Sequence, residues 1–245
     1  MKIKRKYSSI LIPIILVVAF IIFIFNESLW VSISKTIFPA ESEFIYPRAS
    51  LPQLLREHLL LVLVSSGLAV SVGFTLGLSV TRSAGREFLP AVSNLTTLGQ
   101  TFPPVAVLAL AVPVLGFGFK PSILALFLYS LLPVARNTIT GLEAVSTELI
   151  AVARGMGMSP LQVLFKVELP LAMKVIMAGV RTSVVINIGT ATVAAVVGAG
   201  GLGSPIIAGL VRDNPAFVLQ GALTAAFLAI IADTVLASFE DYFSK

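Results

Sequence analysis

The sequence predicts an all-α polytopic membrane protein with about six transmembrane helices. Three observations carry that prediction. Apolar residues make up 57% of the 245 positions and charged residues only 12%, where a soluble domain carries about 25% charged residues. The mean hydropathy is +0.99. The apolar residues also fall into runs separated by basic turns, and about 20 apolar residues cross the hydrocarbon core as a helix. Helices are the realistic spanning element because the backbone must satisfy its own hydrogen bonds in lipid.

The runs are taken in order. Ile10–Phe25 follows a basic start, Lys2, Lys4, Arg5 and Lys6, which belongs in the cytoplasm. A basic start and an apolar run also describe a signal peptide. No small-residue cleavage site follows, however: the chain reads Asn26-Glu27-Ser28-Leu29-Trp30, and Trp30 reads as an interfacial anchor. Leu51–His58 alternates apolar and charged positions at helical spacing. It is expected to lie along the outer surface, with His58 as an interfacial residue. Leu59–Val80 is the second span, with no charge in 22 residues. The third runs from Leu98 to Phe117, and Pro104 inside it should kink the helix. Pro121–Val134 is the fourth. It is short, so it is tilted, extended through a snorkelling Arg136, or re-entrant. Val175–Val197 and Ala216–Phe239 are the fifth and sixth.

Alternate crossing puts Arg82, Arg86, Arg136, Arg154, Lys166, Lys174 and Lys245 inside, with Lys35, Arg48, Arg56, Lys120 and Arg212 outside. The basic excess is inside, so both termini are expected in the cytoplasm of a multi-pass membrane protein. The net charge of +5 therefore reports topology, and no nucleic-acid partner is expected. The chain has no cysteine and a single histidine. Thiolate metal sites, disulfides, cysteine nucleophiles and multi-histidine metal sites are excluded.

Gly198, Gly200 and Gly203 spell G-x-G-x-x-G, the pattern of a dinucleotide turn. That turn needs a strand before it and an acid about 20 residues after it. The preceding run is too long for a strand, and Ala222-Leu223-Thr224 stands where the acid belongs. The run carries Gly179, Ser183, Asn187, Thr190 and Ala194 on roughly one face, a stripe for close helix approach in a membrane. The glycines are expected to end a helix and turn the chain at the outer surface. Arg181 and Asp233, near span ends, are expected to pair.

Gly141 to Ala172, "GLEAVSTELIAVARGMGMSPLQVLFKVELPLA", is too polar to cross and too periodic to be disordered. Leu149, Val152, Ala153 and Met156 follow i, i+3, i+4, i+7. Gly155 and Gly157 should end this short helix. Ser159 can cap a second helix, with Pro160 first and Gln162 third, which should end before Pro170. Such a hairpin either merely connects two spans or docks on a soluble partner.

This loop resembles the EAA loop of ABC importer permeases, here in the register Ala151-Val152-Ala153, Gly157, Val167, Leu169-Pro170. Ala151 replaces the family's glutamate, and Glu148 lies one turn earlier. "GQTFPPVAVLALAVPVLGFG", "LYSLLPVARNTITGL", "AGVRTSVVINIGTATVAAVVGAGGLG" and "IIAGL" are similar to the branch that imports glycine betaine, choline or carnitine. The resemblance implies a type I ABC importer-like permease fold over 51–245, with the coupling loop at about 140–172. Residues 1–50 would hold a cytoplasmic tail, the first span and an outer segment. It implies a transport subunit and not an enzyme, with no cofactor of its own. The chain lacks the phosphate-cradling G-x-x-x-x-G-K-[ST], so ATP would be bound by a cytoplasmic ATPase dimer. A second permease subunit, identical or paralogous, and an extracytoplasmic substrate-binding protein complete the expected assembly around a small solute in membrane lipid.

Coupling to the ATPase is expected through Ala151, Val152, Ala153, Arg154, Gly155, Gly157, Leu169 and Pro170. Candidates for the translocation pathway are Gln100, Thr101, Phe102, Pro103, Pro104, Asn187 and Thr190. The proline break equally serves packing, and Asn187 and Thr190 equally serve interhelical hydrogen bonding. No aromatic cage for a quaternary ammonium is evident among the spans, so the high-affinity cage is expected on the binding protein. The loop admits importers of other small solutes, such as methionine, nitrate or taurine. A stand-alone secondary transporter should show intramembrane acids, and only Asp233 qualifies. A membrane protease would need paired Asp, Ser-His or His-Glu-x-x-His within the spans, and none occurs.

Overall fold

The computed structural model describes the backbone of residues 2–99 and 101–242 and the side chains of residues 11–97 and 101–240. Helix α1 (Lys2–Phe25) bends by 80° into α2 (Glu27–Ile37). The break is at Asn26, whose side chain accepts the Leu29 N–H and caps α2. Then follow α3 (Leu51–Thr81), α4 (Leu89–Gly99), α5 (Pro104–Leu115) and α6 (Phe119–Glu143). After them come α7 (Thr147–Gly155), α8 (Pro160–Val163), a π-helical turn over Leu164–Glu168, α9 (Leu169–Ala191), α10 (Gly203–Arg212) and α11 (Pro215–Tyr242).

Among the described residues, three helices are long and apolar enough to cross a membrane: Leu51–Thr81, Phe119–Glu143 and Pro215–Glu240. The bent pair α1–α2 makes a fourth when taken as one span. The expected six are therefore not met as six unbroken apolar helices. The third run is split: α4 ends at Gly99 and α5 restarts at Pro104, so the prolines divide the helix where only a kink was expected. The fifth run is shifted. Its helix starts at Leu169 and ends at Ala191, and residues 193–197 form a 3₁₀ turn. Against this, the fourth run is longer than its apolar stretch, because α6 carries on through Arg136 to Glu143.

Packing of α3, α6 and α9 forms the centre, and small residues set the spacing. A Cβ on Gly73 would lie 3.0 Å from Val134 Cβ, and one on Gly77 would lie 2.6 Å from Thr138 Cβ. Both numbers rise together, so α3 and α6 run parallel. Gly141 meets Ala172 and Gly179 meets Asn137, so α9 runs antiparallel to α6. Two parallel helices need a return between them, and α4–α5 supplies it. The stripe expected on α9 is present with one change. Gly179, Ser183, Asn187, Ala191 and Ala194 are buried, while Thr190 is only half-buried and bonds back to Ile186 O at 2.9 Å. Ala191 continues the four-residue row that Thr190 leaves by about 100°.

Buried polar groups join the same three helices. Asn187 Nδ2 donates to Ser65 Oγ at 2.8 Å and Ser66 Oγ at 2.7 Å, and Ser183 Oγ donates to Ser130 O at 2.7 Å. Arg181 forks onto Asp233 at 2.6 and 2.8 Å, as expected, and also reaches Glu240 at 3.3 Å. This ties α9 to α11.

Two expectations at the other end are corrected. Leu51–His58 does not lie on a surface but is the first part of the unbroken α3. Its His58 is fully buried and bonded through Nε2 to Ile188 O at 3.0 Å. The charges of Arg56 and Glu57 hid an inward face built by Leu51, Leu54 and His58. Trp30 is buried too. Its indole N–H donates to Phe23 O at 2.9 Å and its ring packs on Phe23, so it fastens α2 back onto α1.

Gly179 sits where a side chain would strike Asn137 and Pro133 of α6. Gly179→Val is expected to cost about 1–3 kcal/mol by overpacking and to lower the unfolding temperature in detergent. Gly67→Ala, on α3 with nothing near its Cβ position, should not. Thermal denaturation of both variants checks this.

Candidate functional site

The hairpin between α6 and α9 is built from local signals. Ser146 caps α7 by accepting the Glu148 N–H at 3.2 Å. Gly157, at φ +81°, ends the helix. Its N–H bonds to Arg154 O, and the N–H of Met158 bonds to Ala153 O, the paired pattern of a Schellman stop. Gly155 is the last helical residue, so Gly157 is the terminator. Ser159 and Gln162 then form the expected reciprocal capping box, at 3.4 and 2.9 Å, with Pro160 first. Caps at both ends fix the two short helices as one rigid corner.

The second helix does not stop before Pro170. The chain stays helical from Pro160 to Ala191 through the π turn. Leu169 N–H bonds to Leu164 O, five residues back. Pro170 has no N–H and its ring crowds the preceding turn. The wider turn just ahead of it accommodates that, and a proline expected to end the helix sits in the first turn of α9 instead.

The two faces of the hairpin differ. Ala153, Val163, Leu164 and Leu169 are buried. The last two join Leu142, Val145, Ala172 and Ile176 in a cluster that Phe74, Leu78 and Ile150 complete. On the opposite side Leu149, Val152, Met156, Leu161 and Phe165 are exposed, Val152 at 60% and Met156 at 74%. Ala151, Arg154, Gly155 and Pro170 are also exposed. The periodic residues therefore split, with Ala153 facing in and its apolar neighbours facing out. These exposed apolar side chains form the outer side of the hairpin. Behind it lies a cleft of about 460 Å³. It is lined by Arg82, Arg86, Glu143, Arg154 and Glu168, and an ion pair from Arg82 Nη1 to Glu168 Oε2 closes it at 2.5 Å. Neither Arg82 nor Glu168 stood out in the sequence. They are far apart in the chain, and no local pattern joins them.

The pathway candidates do not come together as one cluster. Gln100 lies outside the described residues. Thr101, Phe102 and Pro103 are exposed in the break between α4 and α5, and Pro104 opens α5. Asn187 is sealed among helices and bonded to α3. Thr190 lies beside the exposed Ile186 and Gly189 on the outer side of α9.

The glycine turn is a structural joint. A helix and a 3₁₀ turn precede it, and Gly198, Gly200 and Gly201 have φ of +76°, +80° and +76°. The N–H of Gly201 is taken by Glu57 Oε2 at 2.9 Å. The donor that a phosphate would use is thus held by the chain's own carboxylate. Among the described residues no three His, Asp or Glu side chains converge to hold a metal.

The sequence profile described as "Binding-protein-dependent transport system inner membrane component" matches residues 69–245. The glycine betaine/carnitine/choline transport system permease protein OpuCB of Bacillus subtilis is 42% identical over 184 residues, covering 75% of this chain and 84% of that protein. The osmoprotectant import permease protein OsmY of Salmonella typhimurium is 44% identical over 185 residues, covering 75% and 78%. In fold, the chain is similar to the inward-facing MetNI methionine ABC transporter. The TM-score is 0.68 at 22% identity, over 77% of this chain and 94% of the other. An amino acid ABC transporter aligns with a TM-score of 0.66 at 20% identity, over 78% and 93%.

The capping box gives a local test. Ser159→Ala is expected to cost about 1 kcal/mol and to raise amide exchange in residues 156–164 while leaving α9 protected. Hydrogen exchange mapped by peptide checks it.

Proposed function

The chain belongs to the family of binding-protein-dependent transport system inner membrane components, and from that premise we infer that it is the permease subunit of an ATP-driven importer of osmoprotectants such as glycine betaine, choline and carnitine. The solute class is supported by the names of the relatives that cover three quarters of the chain. The observation that carries the mechanism is the apolar ridge on α7 and α8. It is held rigidly by caps at both ends and exposed at the end of the bundle where α3 and α6 finish.

In this reading the ridge is the surface on which a cytoplasmic ATPase seats. ATP is bound by that partner, and a soluble binding protein delivers the solute on the other side. The basic residues Arg82, Arg86, Arg154, Lys166 and Lys174 around the hairpin end support a cytoplasmic hairpin, and in this reading both termini are cytoplasmic. Six crossings result when α4–α5 counts as one broken span and α9, lined with small and polar groups, as another. The transporting unit is 51–245, and α1–α2 is an added element packed on α11 through Phe20, Phe23 and Phe227.

Force applied at Val152 and Met156 acts on a stiff corner joined to α9 by continuous helix. Because α6 meets α3 and α9 at glycines and Asn187 of α9 is bonded to Ser65 and Ser66 of α3, the three helices shift as a block rather than bend. A second permease subunit covers exposed flanks of this chain. The solute passes between the two, near Thr190 and the Thr101–Pro104 break. Ala151 offers no charge to the ATPase, so apolar contact holds the joint, with Arg154 at its edge.

Two measurements test this reading. Met156→Cys, in a chain without cysteine, is expected to react with a membrane-impermeant maleimide in inverted vesicles only. Labelling solely from the exterior of intact cells overturns the orientation. In proteoliposomes holding the complete complex, uptake of labelled glycine betaine or choline should depend on ATP on the hairpin side. Val152→Glu places a charge in an apolar contact. It should lower ATPase binding and uptake by about 30-fold, the equivalent of about 2 kcal/mol at a contact of this kind. Unchanged uptake in that variant removes the ridge from the docking surface.

A further inference from the structure

We propose that the Arg82–Glu168 ion pair is the strut that carries movement of the docking hairpin into α3, and that the π turn serves to aim Glu168 at it; this rests on the importer reading above.

The pair lies at a particular joint. Arg82 caps the C-terminus of α3, and Glu168 is the last residue of the π turn between the hairpin and α9. The Glu168 side chain is 8% exposed and that of Arg82 35%. Its neighbours Leu164 and Leu169 are apolar and buried. A hydrophobic residue would pack there at least as well as a carboxylate that must be desolvated. The charge therefore answers a need other than packing.

What surrounds the pair makes it mechanically distinct. The hairpin and the ends of α3 and α6 are separated by the cleft, and Arg86, Arg154 and Glu143 line it without forming an ion pair among the described residues. The other contact from α3 is apolar, from Phe74 and Leu78. Apolar contact is non-directional and lets surfaces slide. Pulling the ion pair apart leaves a charge unpaired in a site largely shielded from water, which costs more than sliding one apolar surface over another, so the pair resists separation. A tug on the hairpin thus reaches α9 through the helix backbone and α3 through Arg82.

The π turn explains how Glu168 comes to point that way. At 100° per residue, Leu164 and Leu169 would stand about 140° apart around an α-helix. The five-residue hydrogen bond from Leu169 to Leu164 brings them nearly one above the other. The buried face narrows, and Glu168 turns inward with Leu169 beside the end of α3. Arg82 and Glu168 are positioning residues. They touch no solute and hold no nucleotide.

The test uses the complete complex of permease, ATPase and binding protein in proteoliposomes, with glycine betaine and choline as solutes. Transmission is read in two ways: solute moved per ATP hydrolysed, and the factor by which solute-loaded binding protein stimulates hydrolysis. Arg82→Gln and Glu168→Gln are each expected to lower both readings by about 5-fold or more. Basal hydrolysis and the amount of assembled complex should stay within about 2-fold of wild type. The double variant Arg82→Glu with Glu168→Arg should restore more than half of each reading. The strut is refuted if the single variants keep wild-type readings. It is refuted equally if assembly and basal hydrolysis fall in proportion, as a purely structural role requires, or if the exchanged pair restores nothing. If the wild-type complex moves neither solute, the substrate reading fails, and the strut is judged on the stimulation of hydrolysis alone.

Discussion

Close approach of three helices is the constraint on which this molecule depends. Lipid is as apolar as leucine, so burying apolar side chains gives little drive for helices to associate in a bilayer. Close packing and internal hydrogen bonds must supply it. Gly73 and Gly77 let α3 lie against α6, and Gly141 and Gly179 let α6 lie against α9. The space saved is used by the Asn187 amide, which donates to Ser65 and Ser66, and by the Ser183 hydroxyl, which donates to the Ser130 carbonyl. A core built this way tolerates little change of spacing, so it moves as a unit.

The hairpin follows the opposite logic. Its short helices are held largely by caps, and most of its apolar side is left uncovered. Ser146, Gly157, Ser159 and Gln162 satisfy the helix ends locally. Leu149, Val152, Met156, Leu161 and Phe165 are then free to face outward. Only Ala153, Val163, Leu164 and their neighbours turn toward the bundle. A rigid projection on a rigid core, joined by an unbroken helix, is what a subunit driven by a borrowed motor requires. The one nucleotide-like glycine pattern is a turn clasped by Glu57.

Legibility followed the range of the interaction. The capping box at Ser159 and Gln162 was readable because all its atoms lie within three residues. The Arg181–Asp233 pair was readable because two charges near span ends have few other outlets. His58 is hard to place from sequence because Arg56 and Glu57 beside it look solvated, while Leu51, Leu54 and His58 are buried and His58 meets Ile188 of α9 and the glycine turn. Pro170 looks like a stop in the sequence because a π turn leaves no mark in residue type. Thr190 lies one position off the packing row, and a stripe at mixed three- and four-residue steps does not say where its edge lies.

By itself, then, the amino-acid order determined the membrane class, the helical class, the caps of the hairpin and the absence of any thiol. Each of these depends on composition or on residues within a turn of one another. Only the tertiary structure decided which helices run parallel, which side of α7 is left bare, and that Arg82 meets Glu168 across a cleft. Those are contacts between segments far apart in the chain, and their partners are chosen by where glycines allow two backbones to meet.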